Sequence, residues 1–298
     1  MMGKKLEERT GGPRRKTALL FTLAFFVLGA CSSAPERPAE LFTLQNETET
    51  QLNLANREAD RGNYEGALTL LEEARRLAAS TDRPPLLIRV WLSQGNVLFS
   101  LGRVEAARAL WDAALAESER AGEEELAAAS RIYMARSSLI LDGGAGTPEK
   151  VIAAVREDLA RLKSDKLNSA LGWTVIGIAE KELRHWAEAE SALAKALDIH
   201  EKDRYLELAA YDWYLIASVR SVSGRYDSAL EALSRALALD RRAENSYGLG
   251  MDWLALGEVY QKAARGDEAL AAYRRSAEIF RAIGLEKEAA EAERRTLN

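Results

Sequence analysis

The stretch AAYDWYLIASVRSVSGRYDSAL at residues 209–230 is followed, 40 positions later, by LGMDWLALGEVYQKAARGDEAL at residues 249–270. The two segments align without a gap. Each has a tryptophan, a small residue four positions later, and an alanine twelve positions after that. Self-similarity with a period of about 20–50 residues is typical of stacked repeats. The spacing therefore predicts a repeat architecture, and the apolar periodicity predicts that each unit is a helical hairpin.

Working outward, the same register extends back to about residue 47. The small residue after the tryptophan position recurs as Ala55, Gly95, Ala135, Gly177, Ala217 and Gly257. Two further small columns lie seven positions apart, which places both on one face of the second helix. They are Ala67, Ala107, Ala153, Ala189, Ala229 and Ala269, then Ala74, Ala114, Ala160, Ala196, Ala236 and Ser276. A glycine inside a helix is unfavourable, so its recurrence indicates that another helix packs closely there.

Turns and ends follow from the same alignment. Gly62, Gly102 and Gly224 lie between paired helices, where glycine ends a helix in the left-handed conformation. In the third repeat, residues 142–148 lengthen the turn by six and predict a protruding loop. Residues 285–297 predict a charged final helix that covers the last apolar face. We expect an all-α solenoid of about six hairpins plus a capping helix over residues 47–298.

This pattern of aromatic, small and turn positions resembles the tetratricopeptide repeat family, in a subset whose period is about 40 rather than the usual 34 or so. The resemblance implies a right-handed α-solenoid whose first helices line a concave groove. It also implies a protein or peptide partner. In that family, the position five residues after the tryptophan column commonly faces the partner. Here that position holds Asn56, Asn96, Arg136, Ile178, Ser218 and Glu258.

Several of these side chains suit an extended ligand. Asn56 and Asn96 can donate to and accept from a peptide backbone, and Arg136 suits a carboxylate. We expect the other candidates to lie in or near the groove: Arg89, Tyr133, Tyr211 and Tyr214. Tyrosine buries a large area with little entropy loss, which suits an interface anchor. The alternative is that the polar residues are ordinary exposed helix positions and that the tyrosines pack between repeats.

Composition excludes several other classes. The net charge of −5 provides no basic field for nucleic acid. Two histidines and one cysteine are too few for a Cys/His metal site or a disulfide framework, and we expect no cofactor. His185 and His200 lack a nucleophile at a recognisable spacing, and we interpret both as surface residues. We therefore expect no enzymatic activity.

The first 30 residues have the features of a signal peptide. Six basic residues precede the apolar run ALLFTLAFFVL at residues 18–28. An eleven-residue helix rises about 16 Å, too little for a hydrocarbon core of about 30 Å. The following Leu28-Gly29-Ala30-Cys31 resembles the lipobox of bacterial lipoproteins, which implies lipidation at Cys31. Removal of residues 1–30 would take away six basic and two acidic side chains, leaving a net charge of −9.

The resemblance to lipoproteins implies anchoring rather than spanning. Residues 31–46, with Pro35 and Pro38, predict a tether between the lipid and the solenoid. Ser32 favours the outer membrane facing the periplasm over the inner membrane, where aspartate is the usual retention signal. The sequence thus predicts a membrane-anchored adaptor in the bacterial cell envelope that binds a protein or peptide. The alternative is a small-ligand-binding lipoprotein that works with a solute transporter.

Overall fold

The computed structural model describes residues 43–140 and 147–297. These residues form thirteen helices and no strand. The predicted signal peptide, Cys31, most of the tether and the loop at residues 142–146 lie outside the described residues. Among the helices of the described part, none is both long and apolar enough to cross a membrane.

The helices pair as the repeat predicts. The first helices of the hairpins are α1 (Thr43–Asp60), α3 (Pro84–Ser100), α5 (Glu124–Ile140), α7 (Lys166–Glu182), α9 (Leu206–Val222) and α11 (Ser246–Lys262). The second helices are α2 (Tyr64–Ser80), α4 (Val104–Ala121), α6 (Pro148–Leu159), α8 (Trp186–Lys202), α10 (Tyr226–Ala243) and α12 (Gly266–Ala282). The last helix, α13 (Glu286–Arg295), packs on α12 through buried Ala289 and Ala292. The solenoid of six hairpins with a capping helix is therefore confirmed, and α1 begins four residues before the expected position 47.

Glycine shapes both the turns and the packing within the hairpins. Gly62, Gly102 and Gly224 have φ of +79°, +74° and +79°, the left-handed conformation expected at these helix ends. Gly257 lies under the ring of Tyr273, and a Cβ at this position would overlap that ring. Gly95 lies under Trp111 in the same way. The small column therefore allows the second helix of each hairpin to approach the first, as the sequence predicts.

The register predicted for the third repeat is wrong by two residues. Ala153 and Ala160, assigned to the small columns, are exposed, whereas Val151 and Asp158 are buried. Helix α6 begins 44 residues after α4, four more than the period, so the turn is lengthened by four residues rather than six. Alanines at 153 and 160 match the spacing of seven by composition, but the start of the helix fixes which face is buried.

The stack of hairpins closes on itself. The ring of Tyr247 on α11 lies edge-on to Tyr64 at the start of α2, with centroids 6.4 Å apart. A Cβ at Gly62 would lie 2.9 Å from the Tyr247 ring. We call this contact of Gly62 and Tyr64 with Tyr247 the closure. Because it joins the first hairpin to the sixth, the concave side becomes a partly open cavity.

Candidate functional site

The cavity on the concave side has a volume of about 490 Å³. All six first helices contribute to its wall, as the groove of the resemblance implies. Six of the seven candidate groove residues line it: Asn56, Asn96, Tyr133, Arg136, Tyr211 and Tyr214. The geometry therefore brings them together, and their role in binding stays a prediction.

Arg89 does not belong to this group. It lies exposed on α3, and its guanidinium forms a 3.5 Å ion pair with Glu49 of α1. It is absent from the cavity wall. Arg89 is therefore not among the residues that line the cavity, and a role for it near the groove stays a prediction.

Arg136 provides a positive charge in the cavity wall. Its Nη1 donates a 2.6 Å hydrogen bond to Oδ1 of Asn96, the equivalent position one repeat earlier. Its guanidinium also lies 5.4 Å from the centre of the Phe99 ring. The amide and the ring hold the side chain in place without neutralising it, and no carboxylate of the described residues pairs with it. A guanidinium held in this way can accept a carboxylate from a ligand.

The candidate tyrosines form two aromatic groups. Tyr133 stacks on Trp111 with ring centroids 5.7 Å apart, and Tyr211 stacks on Tyr214 at 6.2 Å. Removal from bulk water raises the pKa of Tyr133 and of Tyr214 to about 12 and also raises that of Tyr211. All three hydroxyls are therefore neutral hydrogen-bond donors at neutral pH. Tyr211 lines the cavity and exposes 45% of its surface, a large fraction for an aromatic residue.

His200 is not the surface residue that the sequence suggested. It is 5% exposed, and its Nδ1 lies 2.6 Å from Oδ2 of Asp212 on the next helix. Thr174 Oγ1 lies 3.4 Å from the other carboxylate oxygen. Burial raises the pKa of Asp212, and the hydrogen bond to His200 opposes that shift. This buried polar pair is satisfied within the chain. His185 is exposed, as expected.

A second buried pair, Asp240 and Asp252, lies in the cavity wall one repeat later. Asn245 Nδ2 donates a 2.9 Å hydrogen bond to Oδ1 of Asp240. In contrast, Oδ2 of Asp252, a residue that is 2% exposed, has no N–H or hydroxyl donor in the described part of the chain, and the hydrogen bond of this carboxyl group is with the carboxyl group of Asp240. Burial and the neighbouring Asp240 raise the pKa of Asp252 to about 9, and burial raises that of Asp240 to about 7.

Two more acids approach this pair from other helices. Asp60 lies at the end of α1, beside the closure, and Glu207 lies on α9. Burial, then the carboxylates of Glu207 and Asp240, raise the pKa of Asp60 to about 7. We call Asp60, Glu207, Asp240 and Asp252 the acid cluster. Closure therefore brings like charges together from α1, α9, α10 and α11, which favours protons or cations in this part of the cavity.

Sequence reasoning missed these acids, although one signal was present. The position before the tryptophan column is buried in successive repeats, where it holds Val90, Ser130, Gly172, Asp212 and Asp252. Aspartate in a column otherwise filled by small or apolar residues is unusual, because a buried carboxylate needs a partner. Across the ranges 43–140 and 147–297, no three His, Cys, Asp or Glu side chains converge as metal ligands would.

Comparisons with known proteins agree with this architecture. Models of the tetratricopeptide repeat match residues 48–81 and residues 207–282. No curated protein sequence matches the chain. Among solved structures, the Rap protein complexed with competence and sporulation factor is similar with a TM-score of 0.57 and 16% identity, covering 86% of this chain and 76% of that chain. The apo form of RapI gives a TM-score of 0.55 and 16% identity, covering 84% and 72%.

The hetero-tetramer of Cut9 and Hcn1 from the APC/C also has a similar chain, with a TM-score of 0.53 and 15% identity, covering 83% of this chain and 46% of that chain. These identities establish a shared fold and nothing further. The matched models and structures indicate no catalytic family, and this fold binds protein or peptide partners. Residues 48–81 and 207–282 of the chain therefore match tetratricopeptide repeats, within a solenoid of that fold.

Proposed function

We propose that this protein is a lipid-anchored adaptor of the bacterial cell envelope that holds an extended segment of a partner protein in its cavity. The observation that carries the proposal is Arg136, a positioned guanidinium that pairs with no carboxylate of the described residues, in a wall that also contains Asn56 and the neutral tyrosines. Such a wall offers donors and acceptors to a peptide backbone and a cation to a carboxylate.

The experiment is crosslinking capture from envelope extract with the full chain as bait. We compare the unaltered protein with Asn96→Ala combined with Arg136→Glu, and with Arg108→Glu as a matched control. Arg108 is exposed on α4 and is not part of the cavity wall. We expect a protein to be captured by the unaltered bait and by the control but lost from the cavity variant. Capture of the same proteins by all three baits would contradict a binding role for the cavity.

The anchoring part of the proposal rests on Leu28-Gly29-Ala30-Cys31 and on the basic and apolar segments before it. Lipidation at Cys31 would hold the solenoid at a membrane through acyl chains. Ser32 favours the outer membrane. Labelling with a palmitate analogue tests this. We expect incorporation into the full chain and none into Cys31→Ser, which should leave the membrane fraction. Membrane retention of Cys31→Ser without label would contradict lipid anchoring.

The closure favours a second function, a small-ligand-binding lipoprotein that works with a solute transporter. Contact of Tyr247 with Gly62 and Tyr64 restricts the cavity to about 490 Å³, within the size range of small-molecule sites. Native mass spectrometry distinguishes the two functions. A bound metabolite that is lost in Arg136→Ala would favour this second function over the adaptor.

A further inference from the structure

We infer that the acid cluster is a binding site for a primary ammonium group, supplied by the peptide segment that occupies the cavity. The inference rests on the proposed use of the cavity for a ligand and names the charge that the ligand carries. The site is formed by Asp60, Glu207, Asp240 and Asp252, around the closure. It is distinct from Arg136 in chemistry, since it takes a cation rather than an anion.

The first observation is the unpartnered oxygen of Asp252. Asp252 is one of the residues that line the cavity, and its buried Oδ2 receives no hydrogen bond from an N–H or hydroxyl group of the described residues. Its interacting neighbour is the carboxyl group of Asp240, which already accepts from Asn245. Two facing carboxyl groups require a proton or a cation between them, and when no cation is bound the raised pKa of Asp252 indicates that a shared proton takes this place. An ammonium group has three donors and can serve both carboxylates at once.

The second observation is the charge around this pair. Asp60 and Glu207 add negative charge from two other helices, and they act on Asp240 or on each other. Arg241 is the basic group that acts on Asp252, and it lowers the pKa of that carboxyl without reversing the effect of burial. Four acids from four helices therefore share this part of the cavity, and Arg241 is the basic neighbour of one of them.

The third observation is the aromatic surface beside the acids. Tyr64 and Tyr247 form the closure, and Tyr211 and Tyr214 form the adjoining stacked pair. All four line the same cavity as the acid cluster. Aromatic faces attract organic cations and bury the carbon atoms that carry an ammonium group, whereas they offer little to a small hydrated metal ion. Together with Arg136, the cavity provides a receptor for each end of a zwitterionic peptide.

Thermal unfolding of the full chain tests the inference with defined probes at millimolar concentration. The probes are the tripeptide Lys-Ala-Ala, the same peptide acetylated on both amino groups, 1,5-diaminopentane, and magnesium chloride. We expect Lys-Ala-Ala to raise Tm by about 3 °C, as a ligand at roughly ten times its Kd would. The acetylated peptide and magnesium should leave Tm unchanged. A larger Tm shift with 1,5-diaminopentane than with the peptide would show that the site binds small amines. That result would overturn the claim that a peptide segment supplies the ammonium group.

Variants separate this inference from the proposed function. Asp252→Asn keeps the shape of the side chain and should weaken binding of Lys-Ala-Ala by about ten- to a hundredfold, while the matched control Asp112→Asn, an exposed acid on α4, leaves it unchanged. The inference is overturned if no ammonium probe exceeds the acetylated peptide, or if Asp252→Asn binds as tightly as the control. If partner capture is lost in the Arg136→Glu variant yet unaffected by Asp252→Asn, the proposed function stands and the ammonium site fails.

Discussion

Two pairs of buried residues occupy equivalent places in the solenoid and differ in one side chain. His200 at the end of α8 contacts Asp212 on α9, and 40 residues later Asp240 on α10 faces Asp252 on α11. The first pair has a donor and an acceptor at 2.6 Å. In the second pair, aspartate replaces histidine, and Oδ2 of Asp252 has no donor among the described residues.

Other repeats show that the place itself does not require polar groups. The equivalent positions hold Ala78 with Val90 and Phe280 with Ala292, and all four are buried. Apolar pairs satisfy packing between hairpins without any desolvation cost. The repeat therefore places a buried pair between successive hairpins, and the side chains at these two positions determine whether the pair is apolar, hydrogen-bonded or acidic. The Asp240–Asp252 pair, which must hold a proton in the folded state, therefore costs stability that an apolar pair at the same place would not.

The largest effect is expected when the satisfied pair is broken. In His200→Ala, Asp212 stays buried and keeps only the 3.4 Å contact with Thr174. Removal of one member of a buried pair should lower the free energy of unfolding by about 3 kcal/mol. His185→Ala is the matched control. That histidine is exposed, and its partner Glu180 retains Arg156, so the loss should stay near 1 kcal/mol or less. Urea unfolding at pH 8 measures both, and equal losses would contradict a structural role for the His200–Asp212 pair.

The Asp240–Asp252 pair should make stability depend on pH in the opposite direction from a salt bridge formed by a carboxylate. Asp252 and Asp240 have folded pKa values of about 9 and about 7, above the unfolded value of 3.8. The folded state therefore holds more protons between pH 4 and 9, and its stability falls as pH rises through this range. Each extra proton contributes a slope of about 1.4 kcal/mol per pH unit.

Asp252→Asn should reduce this slope, because asparagine supplies a donor to Asp240 and does not ionise. At pH 8 the variant should be more stable than the unaltered protein by about 2 kcal/mol, since it folds without taking up a proton at position 252. Chemical unfolding at pH 5, 6.5 and 8 gives the slopes. Parallel pH profiles for the two proteins would show that Asp252 ionises freely in the fold, contrary to the comparison.

Asn245 connects the acid pair to a helix cap, and Asn63 provides its exposed counterpart. Each side chain accepts from a glycine N–H three residues later and donates to an acid five residues earlier. Asn63→Ala should lower the free energy of unfolding by about 1 kcal/mol, the usual cost of a lost cap. Asn245→Ala should lower it by about 2 kcal/mol at pH 8, because buried Asp240 also loses its donor. An equal cost for both variants at pH 8 would mean that Asp240 keeps its proton there.

How much of this was predictable from the sequence depends on distance along the chain. The columns through Gly95 and Gly257 predict the hairpins, because each records a contact within one repeat. The placement of Asn96 and Arg136 in one cavity also follows from the repeat, since adjacent units present equivalent positions side by side. Arg89 occupies the same repeat position as Leu171, Tyr211 and Met251, which line the cavity, so the repeat register alone does not decide which of the equivalent side chains contribute to the wall.

The acid cluster could not be predicted from such patterns. Asp60 and Asp240 are 180 residues apart, and they meet because small rotations between six hairpins add up to a closed stack. No repeated position in the sequence reflects these accumulated rotations. Similarly, the alanine spacing at Ala153 and Ala160 suggested one register for α6, whereas the helix start at Pro148 buries Val151 and Asp158 instead. Local periodicity determines each hairpin, whereas the closure depends on how all six hairpins pack together.

The smallest effect concerns the closure, through which Asp60 reaches the acid pair. Gly62 and Gly224 share a φ of +79°, but only at Gly62 does a Cβ meet a neighbour, the ring of Tyr247. Alanine at either position should cost about 1 kcal/mol for the left-handed backbone, and at Gly62 about 1 kcal/mol more for displacing the ring. Gly62→Ala should also make the pH dependence of stability shallower, because an opened closure returns Asp60 to water and lowers its pKa. Equal costs and unchanged slopes in the two variants would show that the solenoid is open in solution, and the Asp240–Asp252 pair would then lie without Asp60 beside it.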